Sequence, residues 1–93
     1  MADRAIPRAE MTPGPRVVLY GKPECHLCDG ARVVLERVRA GHPFELVECD
    51  ITTDDGLLKA YFDRIPVVTV DGAEMFEYFV DEAALRNHLE SSR

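Results

Sequence analysis

Two cysteines three residues apart, Cys25 and Cys28, constrain the fold more than any other feature of the sequence. They lie between the apolar run 17–20, which predicts a buried β-strand, and residues 31–40, whose apolar positions recur at helical spacing. The pair therefore stands where a strand turns into a helix. The first thiol then lies at the positive end of the helix, which stabilises a thiolate, and the second can close a disulfide with little backbone movement. This arrangement is typical of a thiol–disulfide exchange site.

The flanking pattern predicts a strand, a helix and a second strand. A strand over residues 16–20 is followed by a helix that begins at Cys25 or His26 and ends at Ala40, with Gly41 as a left-handed cap. Alternation over 44–49 predicts the second strand, at a sheet edge. The residues expected on the buried face of the helix are Leu27, Ala31, Val34, Leu35 and Val38.

The second half of the chain predicts a short helix, a hairpin and a last helix. The short helix runs from about Asp54 to Phe62, and Thr52 with Asp55 resembles a capping box. Asp71-Gly72 is a hairpin signal between strand-like segments, and Asp81 is expected to cap the last helix. The aromatic residues expected in or near the core are Tyr61, Phe62, Phe76 and Phe79.

The order β-α-β-α-β-β-α predicts an α/β fold. A parallel pair and an antiparallel hairpin merge into one four-stranded mixed sheet with helices on both faces, in the strand order second, first, third, fourth. A chain of 93 residues has room for one domain. We expect residues 1–15 to be a flexible lead-in and 16–93 to form the domain.

Charge and cysteine content limit the function. A net charge of −6 argues against nucleic acid or an anionic membrane surface as the partner. No apolar run approaches the roughly 20 residues that span a bilayer, and the first residues lack the apolar centre of a secretion signal. Three cysteines with one close pair do not form a secreted disulfide framework. We therefore expect a cytoplasmic protein, and we expect it to be a monomer.

Four features lie in order along these elements: Lys22 three residues before Cys25, Cys25-His26-Leu27-Cys28 itself, Ile65-Pro66 at the third strand and Asp71-Gly72 after that strand. Together they resemble the glutaredoxin-like proteins of the thioredoxin-fold superfamily, over residues 16–90. The pattern is most similar to small bacterial glutaredoxin-like proteins with a Cys-His-Leu-Cys type site. The resemblance implies the thioredoxin-like fold, a cis peptide before Pro66, and electron transport by a dithiol that cycles with its disulfide.

Thiol chemistry and the resemblance assign the site residues. Cys25 is the nucleophile and Cys28 the resolving thiol. His26 tunes Cys25 or relays a proton, since imidazole changes charge near neutral pH; the alternative is an exposed first-turn residue. Lys22 and Arg64 would hold a carboxylate of glutathione or another thiol peptide, although Arg64 is equally well interpreted as surface charge. The residues expected to bind substrate are Lys22, Arg64, Ile65 and Pro66, with the Ile65 backbone pairing to an extended substrate.

The sequence also departs from glutaredoxins where glutathione binds. Phe76-Glu77 stands in place of a Gly-Gly pair, and Asp81 comes about one residue late. Glutathione or another low-molecular-weight thiol remains the expected reductant, with no bound cofactor and no metal. The substrate would be a disulfide-containing protein or a small thiol compound.

Two other functions are open at this point. The Cys25–Cys28 pair could serve a metal-binding or metal-carrying module, although one such pair is only half of a zinc site. The chain could also be a thioredoxin-fold interaction domain without redox activity. Cys49 most simply packs as a small apolar residue in the second strand.

Overall fold

The computed structural model describes residues 14–91, so most of the expected lead-in, 1–15, lies outside the described residues. The elements follow the predicted order, with an added 3₁₀-helix, Ile51–Thr53, after the second strand. In chain order the strands and helices are β1 (Arg16–Gly21), α1 (His26–Gly41), β2 (Glu45–Asp50), α2 (Asp55–Tyr61), β3 (Val67–Val70), β4 (Ala73–Glu77) and α3 (Glu82–Ser91). No helix within residues 14–91 is long and apolar enough to cross a membrane.

The strands form one four-stranded mixed sheet in the predicted order, β2-β1-β3-β4. β1 and β2 run parallel, because α1 carries the chain back between them. β3 pairs antiparallel with both β1 and β4. The carboxyl ends of β1 and β2 therefore lie together, at the edge of the sheet from which α1 starts.

One face of the sheet packs against α1 and α3. Val17 and Leu19 of β1 point to this face, and both are almost fully buried. The helices contribute the buried residues Ala31, Leu35, Val38, Leu85 and Leu89. Each large apolar side chain buried here stabilises the fold by roughly 1.5–3 kcal/mol. This cluster fixes α1 on the sheet and so fixes the position of its first turn.

The other face of the sheet carries α2 and a second buried cluster. Tyr20 alternates with Leu19 along β1, so it points to this opposite face, where its ring lies against Tyr61 of α2. The buried members of the second cluster are Cys28, Ile51 and Ile65. Helices thus lie on both faces, and the second cluster reaches the end of β1 where the two cysteines lie.

Asp71 and Gly72 form the predicted turn between β3 and β4. Their φ angles are 51° and 89°, the two positive values of a type I′ turn. Val70 pairs directly with Ala73, so the loop consists of these two residues. The hairpin prediction is confirmed.

Two predicted helix caps are wrong. Gly41 is the last residue of α1 and is not left-handed; His42 follows it as the C-cap, with φ −135°. Asp54, rather than Thr52, caps α2, and its carboxylate accepts a hydrogen bond from the N–H of Leu57 at 3.0 Å. Thr52 cannot cap α2 because it belongs to the 3₁₀-helix that precedes it.

Three apolar side chains that the pattern places inside are exposed. Leu27 is 41% exposed because Cys28 takes the inward position in the first turn of α1. Phe62 is 66% exposed because α2 ends one residue before it. Phe79 is 71% exposed because the chain leaves the sheet at Tyr78, whose φ is 67°. The other two aromatic residues are partly buried, as expected: Tyr61 and Phe76.

Candidate active site

Cys25 and Cys28 frame the first turn of α1. Cys25 is the N-cap, with extended backbone angles of φ −116° and ψ 109°. Its sulfur accepts a hydrogen bond from the N–H of Cys28 at 3.2 Å. The two Cα atoms are 5.2 Å apart, and the sulfurs lie at disulfide-bonding distance. A sulfur that faces the amides of a helix start is placed where its thiolate form is stabilised.

The two cysteines differ in their exposure to solvent. Cys28 is 2% exposed, whereas Cys25 is only partly buried. The remaining cysteine, Cys49, forms no disulfide and lies partly buried in β2. No group of three or more His, Cys, Asp or Glu side chains is placed to hold a metal ion within residues 14–91. A substrate can therefore approach Cys25 from solvent, while Cys28 lies behind it.

The peptide bond between Ile65 and Pro66 is cis. The side chain of Ile65 is buried in the same cluster as Cys28, and Cys25 packs against that cluster. The Pro66 carbonyl accepts a hydrogen bond from the N–H of Tyr78 at 2.8 Å. Within residues 14–91, the backbone of Ile65 takes part in no loop or turn hydrogen bond. The structure thus brings Ile65, a predicted substrate-binding residue, next to the two cysteines.

Arg64 is held by two carboxylates of β4. Its Nε donates to Glu77 at 2.8 Å, and its Nη2 forms ion pairs with Glu77 at 2.7 Å and with Glu74. Its Nη1 donates to the carbonyl of Ala60 at 3.2 Å. The hydrogen bonds with Glu77 and then Glu74 raise the pKa of Arg64. The guanidinium that was predicted to hold a substrate carboxylate is therefore already bonded to the protein's own carboxylates.

Tyr61 connects Arg64 to the cluster around the cysteines. The Cζ of Arg64 lies 5.3 Å from the centroid of the Tyr61 ring, which in turn lies 4.7 Å from the Tyr20 ring at an interplanar angle of 30°. Both tyrosines pack against the cluster that contains Cys28. Burial, and then the negative charge of Glu74, raise the pKa of Tyr61. The charges on β4 therefore act on a ring that packs against this cluster.

The other two predicted site residues, Lys22 and His26, are exposed on either side of Cys25. Neither forms an ion pair or a side-chain hydrogen bond within the described part of the chain. Glu24, directly before Cys25, is also exposed and has a left-handed φ of 60°. Lys22 and His26 can therefore bind a ligand without first breaking an ion pair or a side-chain hydrogen bond.

A cleft of about 240 Å³ lies behind Cys28, at the carboxyl ends of β1 and β2. Arg32 lines it and donates from Nε to Glu48 at 2.9 Å and from Nη1 to Asp29 at 2.9 Å. The bonds with Glu48 and then Asp29 raise the pKa of Arg32. The cleft therefore lies beside the buried Cys28 and is lined by a guanidinium whose charge is already paired.

Sequence reasoning missed part of this site. Tyr20, Glu74 and Tyr78 were not assigned to it, and Glu77 was named only as part of the pair that replaces the glutathione-binding glycines. All four contact residues that were assigned. Alternation along β1 was a usable signal for Tyr20, since it places that ring opposite the face that holds Leu19. For the two glutamates the hairpin turn predicts only that β4 folds back beside β3, and not which residues of β4 reach Arg64.

The sheet order, the dithiol at the start of α1 and the proline that opens β3 define a thioredoxin-like fold. A family model described as Glutaredoxin-like domain (DUF836) matches residues 16–90. The chain belongs to this glutaredoxin-like family, as the resemblance in the sequence implied.

Solved structures agree with this assignment. The crystal structure of the X. campestris protein XcR50 is 31% identical, with a TM-score of 0.67, and the match covers 83% of this chain and 99% of that one. The Nitrosomonas europaea protein Ne2328, solved in solution, is 26% identical with a TM-score of 0.73, covering 95% and 98%. A mutant thioredoxin from Halobacterium salinarum, 22% identical with a TM-score of 0.60 and coverage of 92% and 80%, shows the fold alone. Comparison with curated proteins gave no match.

Proposed function

We propose that this chain is a thiol–disulfide oxidoreductase, with Cys25 as the nucleophile and Cys28 as the resolving thiol. One observation supports this above the others. Cys25 is only partly buried and its sulfur accepts a hydrogen bond from the N–H of Cys28 at 3.2 Å, while Cys28 is 2% exposed and its sulfur lies at disulfide-bonding distance. Cys25 can react with a substrate disulfide, and Cys28 can then react with the sulfur of Cys25.

The proposed reaction has two exchange steps. The Cys25 thiolate attacks one sulfur of a disulfide RSSR, which forms a mixed disulfide on Cys25 and releases RS⁻ to take a proton from solvent. Cys28 then loses its proton and attacks the sulfur of Cys25, which releases the second RS⁻. Two electrons pass from the dithiol to the substrate, which leaves as two thiols. The protein is left as the Cys25–Cys28 disulfide, and a thiol reductant reverses the sequence.

Three other residues support these steps in the proposal. The backbone of Ile65 pairs with the extended segment that carries the substrate disulfide, much as a strand adds to a sheet edge. Lys22, exposed near Cys25, carries a positive charge that favours the thiolate of Cys25. His26, exposed in the first turn, relays the proton that leaves or enters at Cys25.

For the location, oligomeric state, reductant and substrate, the proposal keeps what the sequence leads us to expect. The protein acts as a cytoplasmic monomer in electron transport between thiols, with no bound cofactor. Glutathione or another low-molecular-weight thiol is the class of reductant, and a disulfide-containing protein or small disulfide is the class of substrate.

The test follows the intact mass of the fully reduced, metal-free protein after addition of hydroxyethyl disulfide, which is small and uncharged. Wild type should pass through a transient adduct and end lighter by the mass of two hydrogen atoms. Cys28→Ser should accumulate the adduct, because nothing displaces it, and Cys25→Ser should react as slowly as an unactivated thiol.

Cys49→Ser is the matched control, because it removes a thiol that lies outside the pair. It should behave as wild type at every time point. The proposal is overturned if Cys25→Ser reacts as fast as wild type, or if Cys28→Ser releases its adduct at the wild-type rate. Zinc bound at one ion per chain and lost in Cys25→Ser would favour a metal-binding module instead. Function retained in Cys25→Ser would favour an interaction domain without redox activity.

A further inference from the structure

The charges around Arg64 do not cancel. Glu74 and Glu77 both bond the single guanidinium, so the three side chains together carry an excess of one negative charge. All three side chains are at least 30% exposed, so a ligand in solvent can sense this charge. The cluster therefore repels a carboxylate instead of binding one.

This cluster lies close to the place where a substrate would bind. Arg64 directly precedes Ile65, whose side chain is buried with Cys28. The guanidinium stands 5.3 Å from the Tyr61 ring, and that ring packs against the same cluster as Cys25. A molecule bonded to Cys25 and paired with the Ile65 backbone would therefore extend past the β4 carboxylates.

The remaining charges near Cys25 do not offset this excess. Lys22 and Glu24 are both exposed without a partner, and their opposite charges balance each other. Asp29 is bonded to Arg32 at 2.9 Å. The whole chain carries a net charge of −6, so its overall charge has the same sign as this excess.

We propose that the Arg64–Glu74–Glu77 cluster makes the dithiol select against anionic disulfides, so that its substrates carry neutral or cationic groups beside the disulfide. Among low-molecular-weight thiols, a neutral or cationic one then serves as reductant better than the anionic glutathione. Glu77 and Glu74 are the residues that determine this specificity. They act by occupying Arg64 and by repelling a carboxylate of the substrate. The inference rests on the proposed oxidoreductase function, and the chemistry is the same exchange of two electrons between the Cys25–Cys28 dithiol and RSSR.

The test compares three disulfides of similar size and different charge: dicationic cystamine, neutral hydroxyethyl disulfide and dianionic dithiodipropionate. The second-order rate of oxidation of the reduced protein is measured for each at low salt. Each rate is divided by the rate of the same disulfide with mercaptoethanol, which removes differences in intrinsic reactivity. Wild type should prefer cystamine and disfavour dithiodipropionate, by about threefold to tenfold relative to the neutral compound. Added salt should reduce both differences.

Two variants locate the effect. In Glu77→Gln the rate ratio of the anionic to the neutral disulfide should rise by about threefold. In the double variant Glu74→Gln/Glu77→Gln the ratio should rise further, because Arg64 then has no carboxylate partner in the cluster and can pair with the substrate. Glu36→Gln is the control with the same change in net charge. Glu36 pairs with Arg39 on the outer side of α1, about 15 Å along the helix from its start, so the ratio should stay at the wild-type value.

A general structural defect would slow all three disulfides alike and leave the ratios unchanged. The inference is overturned if the ratios of wild type are equal, if neither glutamine variant shifts them, or if Glu36→Gln shifts them as much as Glu77→Gln. A failure of the proposed function itself looks different: wild type would then react with all three disulfides no faster than Cys25→Ser. Wild-type salt dependence tests the charge effect even if a variant does not fold.

Discussion

Gly21 and Cys28 approach each other so closely that a side chain at Gly21 has no room. A Cβ built on Gly21 would lie 2.8 Å from the sulfur of Cys28 and 3.2 Å from its Cβ. Gly21 is the last residue of β1 and is buried. The first turn of α1 can therefore rest against the end of β1 only because this residue is a glycine, and this contact places Cys28 behind Cys25.

Gly21→Ala should destabilise the protein by about 1–3 kcal/mol, the usual cost of overpacking a buried site. The side chain of Cys28 is short and its Cα is fixed in the helix. Its sulfur therefore cannot move far enough to make room for an added methyl group. Denaturant unfolding of the reduced protein measures the loss, and the resolving step with hydroxyethyl disulfide should slow because Cys28 is displaced.

Gly30→Ala is the control for this prediction. Gly30 lies inside α1, and a Cβ there meets nothing within 4 Å. Alanine should raise stability by about 0.5–1 kcal/mol, since glycine is unfavourable in a helix interior. If Gly21→Ala were as stable as Gly30→Ala, the close contact would not constrain the site.

The order of elements and the position of the dithiol could be predicted because both depend on local patterns. The apolar run before Cys25 and the helical spacing after Cys28 place the pair at a strand-to-helix turn, as observed. Asp71-Gly72 determines the hairpin through the φ angles that its two residues adopt. Such signals need no knowledge of distant contacts.

The partners of Arg64 could not be predicted, because they depend on an irregularity in the sheet. Counting back from the two-residue turn places Val67 opposite Phe76. A bulge after Val68 shifts the register by one, so Val67 lies opposite Glu77. The shift brings Glu77 to Arg64, and no residue type in the strands marks a bulge at this point. The exposure of Phe62 and Phe79 was missed for a related reason, since periodicity does not show where an element ends.

Glu24 adopts a left-handed backbone with φ 60°, directly before Cys25. This conformation costs a residue with a Cβ about 1–2 kcal/mol, and glycine avoids most of that cost. Glu24→Gly should therefore stabilise the protein by about 0.5–1 kcal/mol after the greater entropy of unfolded glycine is included. Because it also removes a negative charge beside the nucleophile, alkylation of Cys25 by iodoacetamide should be faster at neutral pH.

Glu24→Gln separates the two effects. It removes the charge but keeps the Cβ, so it should speed alkylation as much as Glu24→Gly while leaving the free energy of unfolding near the wild-type value. Equal stabilisation by both variants would show that charge repulsion, rather than backbone strain, is relieved at this position.

Asp50 caps the 3₁₀-helix, and its carboxylate accepts two hydrogen bonds from Thr52. The hydroxyl of Thr52 donates at 2.6 Å and its N–H at 2.9 Å. These bonds, the hydroxyl's first, hold the pKa of Asp50 below its usual value of 3.8. Because the folded pKa is the lower one, the stabilisation is fully present above the unfolded pKa and is lost as the pH falls through the folded pKa.

Thr52→Val removes the hydroxyl donor and keeps the N–H, so the pKa of Asp50 should rise part of the way to its usual value. Carboxyl carbon NMR shifts followed against pH measure this directly. The variant should be less stable than wild type at neutral pH, and the difference should disappear in acid below both pKa values, where the carboxyl is protonated in either state.

Thr53→Val is the control, because the Thr53 hydroxyl donates to the backbone carbonyl of Asp50 at 2.8 Å, and its loss should leave the titration unchanged. A Thr52→Val protein that titrates like wild type would show that the hydroxyl does not set the pKa of Asp50.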